Sequence, residues 1–115
     1  MKGKAPSAKQ KKFHDLLAQN IGCQACYQDN GSRNTHVSIH HIDGRTKPMA
    51  HWEVLAVCAG HHQDGYGPFP MLAIHGAKTR FEKEYGTQMQ LLSKAVHDLV
   101  DQGFDVPPEA MGYAL

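Results

Sequence analysis

Apolar residues recur at helical spacing near both ends of this 115-residue chain and at alternate positions through its centre. In "SAKQKKFHDLLAQNIG", residues 7–22, Phe13, Leu16, Leu17 and Ile21 share one stripe, Ser7 and Gln10 stand at capping-box spacing, and Gly22 supplies a stop. This spacing predicts an amphipathic helix. "THVSIHHI", residues 35–42, sets Val37 and Ile39 on one face and His36 and Ser38 on the other, the period-2 pattern of a half-buried strand. "WEVLAVC", residues 52–58, reads as a second strand. The Gly and Pro content of "DGRTKPMAH", residues 43–51, makes it a loop, so an antiparallel hairpin with a wide connection is expected.

After a loose stretch, "QDGYGPFP", residues 63–70, helical signals return. "AKTRFEKEY", residues 77–85, pairs Phe81 with Tyr85 at i, i+4 and meets a stop at Gly86. "TQMQLLSKAVHDLVDQG", residues 87–103, starts on a Thr87–Gln90 capping box and places Met89, Leu92, Val96, Leu99 and Val100 on one stripe, which reads as core. The expected architecture is a single α+β domain over residues 1–115, with a central β-hairpin and helices at both ends. Residues 1–12 read as a basic, flexible N-terminal tail. Residues 104–115 read as an irregular C-terminal tail, because Pro107 and Pro108 break any element there.

A hydrophobic fraction of 41% in a chain this short allows only a modest core, and small cores often need a staple. No apolar run approaches a membrane span, and the opening lysines precede no apolar segment, so a cytoplasmic location without a membrane partner is expected. The net charge of +1 says little, but Lys2, Lys4, Lys9, Lys11 and Lys12 all precede the first acidic residue. Such a run either neutralises nucleic-acid phosphates or simply keeps a terminus in solution.

Three cysteines is an odd number, and a reducing compartment favours metal binding over disulfides. Cys23 and Cys26 form a C-x2-C knuckle, and after 31 intervening residues Cys58 opens C-x2-H with His61. Three thiolates and one imidazole match a tetrahedral structural Zn²⁺ site. Zinc bound there contributes folding free energy and supplies the missing staple.

Residues 38–62 hold five of the nine histidines. Imidazole is the commonest metal ligand and the side chain best poised for proton transfer near neutral pH, so this density points to a site. With His61 assigned to zinc, His40, His41 and His62 remain close together in sequence. Neighbours on a regular strand point to opposite faces, so His40 and His41 should not ligate one ion together.

These residues resemble the HNH, or ββα-metal, endonucleases, in which an H-H or D-H pair ends the first strand and a further His or Asn follows the second knuckle. More narrowly, "HHIDGRTKP" and "CAGHHQ", within a resemblance covering residues 20–92, look like the phage and prophage recombination-enhancement (Ref) family of RecA-dependent HNH nucleases. The resemblance implies cleavage of DNA where a RecA-type recombinase filament has formed. It also implies a catalytic divalent metal, Mg²⁺ or Mn²⁺, on His40 and His62, with His41 as general base. Arg45 and Lys47, on the loop leaving the hairpin, are either phosphate contacts beside Lys9, Lys11 and Lys12 or ordinary solvated charges.

The chain departs from the wider HNH pattern at its middle asparagine, where Glu53 stands. Asp43, His51, Glu53 or a backbone carbonyl is left to orient the base. His51 and His75 lie in the resembling segments and could complete a metal site or contact phosphate. His36 shares the face of His40 on a regular strand, whereas His14 and His97 fall on helices and read as structural or solvated. Beside the recombinase-directed nuclease stand two alternatives: an autonomous restriction-like HNH nuclease, and a zinc-stabilised DNA- or protein-binding module with an inactive site.

Overall fold

The alternating centre of the chain closes into a two-stranded antiparallel sheet. In the computed structural model, which describes residues 4–65 and 71–114, strand β1 spans Ser38–His41 and strand β2 spans Val54–Val57. Ser38 pairs with Val57, and His41 with Val54. Both strands are shorter than the apolar pattern predicts, for local reasons. The Asn34 side chain accepts the His36 amide at 3.0 Å, which draws residues 34–36 out of the ladder. The amides of Trp52 and Glu53 turn back to the Met49 carbonyl at 2.9 and 3.0 Å.

Helix α1, Ala8–Leu16, opens on the expected capping box, in which the Ser7 amide donates to Gln10 Oε1 at 2.7 Å, and a π-helical turn, Leu17–Ile21, extends it. Residues 8–12 are therefore helical rather than part of a flexible tail; Lys2 lies outside the described residues. Helix α2, Gln24–Asn30, occupies a stretch where no element was expected. Helix α3 spans Ile74–Tyr85 but has non-helical backbone at residues 75–77, where Gly76 adopts φ +101°. Helix α4, Gln88–Asp101, begins at the predicted Thr87–Gln90 box.

Met89 and Val100, expected on the core stripe of α4, are exposed, while Leu91, Leu92, Ala95, Val96 and Leu99 are buried. The apolar face is centred one position away from the predicted one, and Gln88 at its top is buried too. The C-terminal segment is irregular only over residues 104–107 and is helical over 108–114. Helix α5, Pro108–Met111, takes Pro108 at its first turn, where a missing N–H costs nothing.

The core joins Phe13, Leu17 and Ile21 of the first helical segment to β2 and to the inner face of α4, with Trp52 tilted against Phe13 at 5.7 Å between ring centroids. Most of the loose segment "QDGYGPFP" lies outside the described residues. No helix among the described residues is long and apolar enough to cross a membrane.

Gly22 makes the turn into α2 possible. Its φ is +68°, and an added Cβ would stand 2.4 Å from the Asn34 carbonyl oxygen, which itself accepts the Cys23 amide at 2.9 Å. Gly22→Ala should cost roughly 1–3 kcal/mol in backbone strain alone. A thermal melt reads this as a lowered midpoint, and an unchanged midpoint would mean that the Asn34 loop yields freely.

Candidate functional site: two histidine-bearing clusters around one hairpin

The first cluster assembles three distant segments. Cys23 is the N-cap of α2, Cys26 lies one turn into it, Cys58 follows β2, and His61 sits in a π-helical turn, Gly60–Asp64. All four are buried, and their ligand atoms converge. His61 Nδ1 lies 3.5, 3.5 and 3.2 Å from the sulfurs of Cys23, Cys26 and Cys58, and the Cys26 and Cys58 sulfurs are 3.6 Å apart. A tetrahedron with Zn–S of about 2.3 Å and Zn–N of about 2.0–2.1 Å has edges of roughly 3.6–3.8 Å. The four donors thus fit a structural zinc, and the chain is a small α+β protein built around a Cys3His metal-binding cluster.

Residues that the sequence pattern did not single out orient this cluster. His61 Nε2 faces Asp29 Oδ2 at 3.2 Å, and the Tyr85 hydroxyl donates to both Asp29 oxygens at 2.8 and 2.9 Å. Asp29 follows Cys26 by three residues on α2, so one helix face carries a ligand and the group that steers another ligand. Such partners fix the tautomer of the ligating imidazole. Burial, then Asp29, pushes the Tyr85 hydroxyl above its usual range, so it stays a donor. Asp29→Ala should weaken zinc binding about 10- to 100-fold. Competition against a chromophoric chelator measures this, and unchanged affinity would show that packing alone positions His61.

The second cluster includes His40 of the hairpin's first strand. His40, His62 and His75 bring one nitrogen each to within 4.8 Å of one another. His40 Nδ1 stands 3.2 Å from His62 Nε2, and the rings of His62 and His75 lie 4.8 Å apart. Gln88 Oε1 can only accept, so at 2.8 Å it takes the hydrogen of His40 Nε2 and leaves the lone pair on Nδ1, facing His62. His62 Nδ1 meets the Ser38 hydroxyl at 3.4 Å, which leaves Nε2 toward the same point. His75 reaches it because the backbone leaves helical geometry around Gly76. His40 is buried, His62 half-buried and His75 exposed, so the cluster opens to solvent on one side. Burial lowers the His40 pKa, partly offset by Gln88, which keeps the ring neutral and able to ligate.

His41 is not a member of this cluster. Its Nε2 lies 3.0 Å from His51 Nδ1, and its ring meets His14 edge-on at 6.1 Å. Burial first, then the positive charge of Arg45, holds His41 down to about 4. His14 Nε2 donates to the His51 carbonyl at 2.7 Å. Of the candidates for the missing middle residue, His51 alone has a hydrogen bond to His41 among those seen. Glu53 accepts the Tyr113 hydroxyl at 2.9 Å, and Asp43 pairs with Lys47 at 3.6 Å in solvent.

The other expected residues divide. Arg45 is exposed yet close enough to bear on His41 and His14. Apart from these residues, Lys78 bears similarly on His40. Lys9 forms an exposed pair with Glu109 at 3.3 Å, while Lys11 and Lys12 face solvent on α1. His36 is exposed and outside the His40 cluster, because β1 starts two residues after it. His97 is solvated, as expected, and His14 is structural, as expected. Residues 6–100 match the model of a family described as recombination enhancement, RecA-dependent nuclease.

Proposed function

Since this chain belongs to the recombination-enhancement, RecA-dependent nuclease family, we propose that it is a metal-dependent endonuclease that cuts DNA by HNH-type chemistry where a RecA filament has formed, in phage or prophage recombination. One observation carries the mechanism. Strand β1 carries, at adjacent positions, His40 of an open three-imidazole cluster and His41, whose pKa is lowered by burial and then by Arg45.

Phosphodiester hydrolysis needs a water nucleophile, a base for its proton, and stabilisation of charge on the phosphate and the leaving 3′ oxygen. His40, His62 and His75 would hold a divalent metal whose role is to stabilise that charge. Among the described residues no carboxylate joins them, so Mg²⁺ or Mn²⁺, which both prefer oxygen donors, would take the remaining ligands from water and phosphate. His41, neutral at working pH, takes the proton of the attacking water. The new bond joins the water oxygen to phosphorus, the bond from phosphorus to the 3′ oxygen breaks, and that oxygen gains a proton from solvent. Arg45 beside His41 and Lys78 beside His40 supply positive charge for flanking phosphates.

The test is cleavage of plasmid and of oligonucleotide-paired DNA with Mg²⁺ or Mn²⁺, with and without RecA and ATP. Cuts that require RecA are expected. Cuts without RecA would select an autonomous nuclease. DNA binding without cleavage by zinc-loaded protein under every condition would leave a binding module and end the enzyme reading.

A further inference from the structure

His51 lies on the connection between β1 and β2, outside the group of histidines that could hold a metal, and it is buried. Both of its ring nitrogens are engaged. Nε2 meets the carbonyl oxygen of Lys4, and Nδ1 meets His41 Nε2. A carbonyl oxygen can only accept, so His51 Nε2 carries the hydrogen. A neutral imidazole has one donor and one acceptor, and Nδ1 of His51 therefore presents a lone pair. His41 Nε2 must donate to it, which puts the lone pair of His41 on Nδ1.

We infer that His51 is a positioning residue that fixes which nitrogen of His41 receives the proton of the attacking water, and that the Lys4 carbonyl fixes His51 in turn. This rests on the reading of His41 as the base. When His41 Nδ1 takes the proton, the ring becomes an imidazolium whose Nε2–H still donates to His51 Nδ1. No second proton moves, and the new charge faces a lone pair rather than another N–H. The His51 main chain is itself held from α1, through the hydrogen bond of His14 to its carbonyl oxygen. Lys4 precedes α1 and His14 lies in its last turn, with Lys9, Lys11 and Lys12 between them, so the basic N-terminal segment and the geometry of the base form one unit. A histidine on the connecting loop thereby takes over the orienting task for which the usual middle asparagine is missing.

The experiment compares wild type, His51→Ala, His51→Asn and His41→Ala, each checked for zinc content and native circular dichroism. Long-range ¹⁵N–¹H correlation on histidine-labelled protein reads the His41 tautomer directly. Wild type should show His41 as the Nε2–H form, and His51→Ala should show a mixture. In RecA-directed cleavage, His51→Ala should lower kcat about 10- to 100-fold with KM for DNA unchanged. His51→Asn, whose side-chain oxygen can accept from Nε2–H, should recover part of that loss. An Nδ1–H tautomer in wild type, an unchanged kcat in His51→Ala, or an equal loss in both His51 variants would overturn the inference. If His41→Ala cleaves like wild type, the base assignment fails. If it does not cleave while both His51 variants cleave normally, only the role of His51 fails.

Discussion

Stripping the metal from Cys23, Cys26, Cys58 and His61 should unfold the protein, not merely loosen one turn. The four ligands tie α2 to the end of β2 and the turn after it, and each is buried within the region that also carries Val54, Leu55 and Phe81. Structural zinc sites supply an apparent ~10–16 kcal/mol, which matches or exceeds the ~5–15 kcal/mol by which whole domains are stable. A chain of this size has little else to replace it. Burial pushes the Cys23 thiol up to about 12 and raises Cys26 as well, so the metal-free pocket holds protonated thiols. Zinc must displace those protons, and its affinity therefore rises with pH and falls toward acid. Trp52, buried against Phe13, reports the outcome by fluorescence. Added chelator should give a cooperative red shift and loss of helical circular dichroism, at lower chelator concentration at pH 6 than at pH 8. A native spectrum in protein shown by metal analysis to be zinc-free would refute the stapled-core account.

What sequence patterns revealed, and what they hid, follows from range. The α1 and α4 capping boxes, the hairpin and the C-x2-C and C-x2-H spacings are local, and each is present as read. Helix α2 is seven residues long, has no side-chain cap and bears no apolar stripe beyond Ala25 and Cys26, so nothing local announced it. The α4 stripe was set one position off because Met89 and Val100 are as apolar as their buried neighbours, and only tertiary packing decides between them. Asp29, Tyr85 and Gln88 reach their histidines across 24 to 48 residues of chain, beyond any spacing rule. The pairing of His51 with Lys4 spans 47 residues and uses a backbone oxygen, which leaves no trace in residue type. His75 joins His40 and His62 through the break at Gly76, whereas His36, which alternation favoured, is left out by the short strand.

Replacing His41 by alanine should lower RecA-directed cleavage by about 10²- to 10⁴-fold, the usual contribution of a positioned base, with zinc content and fold unchanged. The sharper test is the response of the wild-type protein to acid. A histidine base at its ordinary value near 6.5 would lose active fraction almost tenfold per unit below that pH. His41 is held down to about 4 by burial and then by Arg45, so its lone pair persists from neutral pH down through pH 6. Single-turnover cleavage should therefore stay flat between pH 7.5 and 6, with no inflection near 6.5. The same shift works against stability. Unfolded chains take up a proton at His41 below about 6.5, while the folded protein declines it until about 4, so stability is present at neutral pH and falls as pH drops through that window. His14 is lowered in the same direction by burial and adds to the fall. Activity should thus end where Trp52 fluorescence reports unfolding, not where an isolated imidazole titrates. A cleavage profile that declines around 6.5 while the fluorescence stays native would assign the base to another, solvent-exposed histidine.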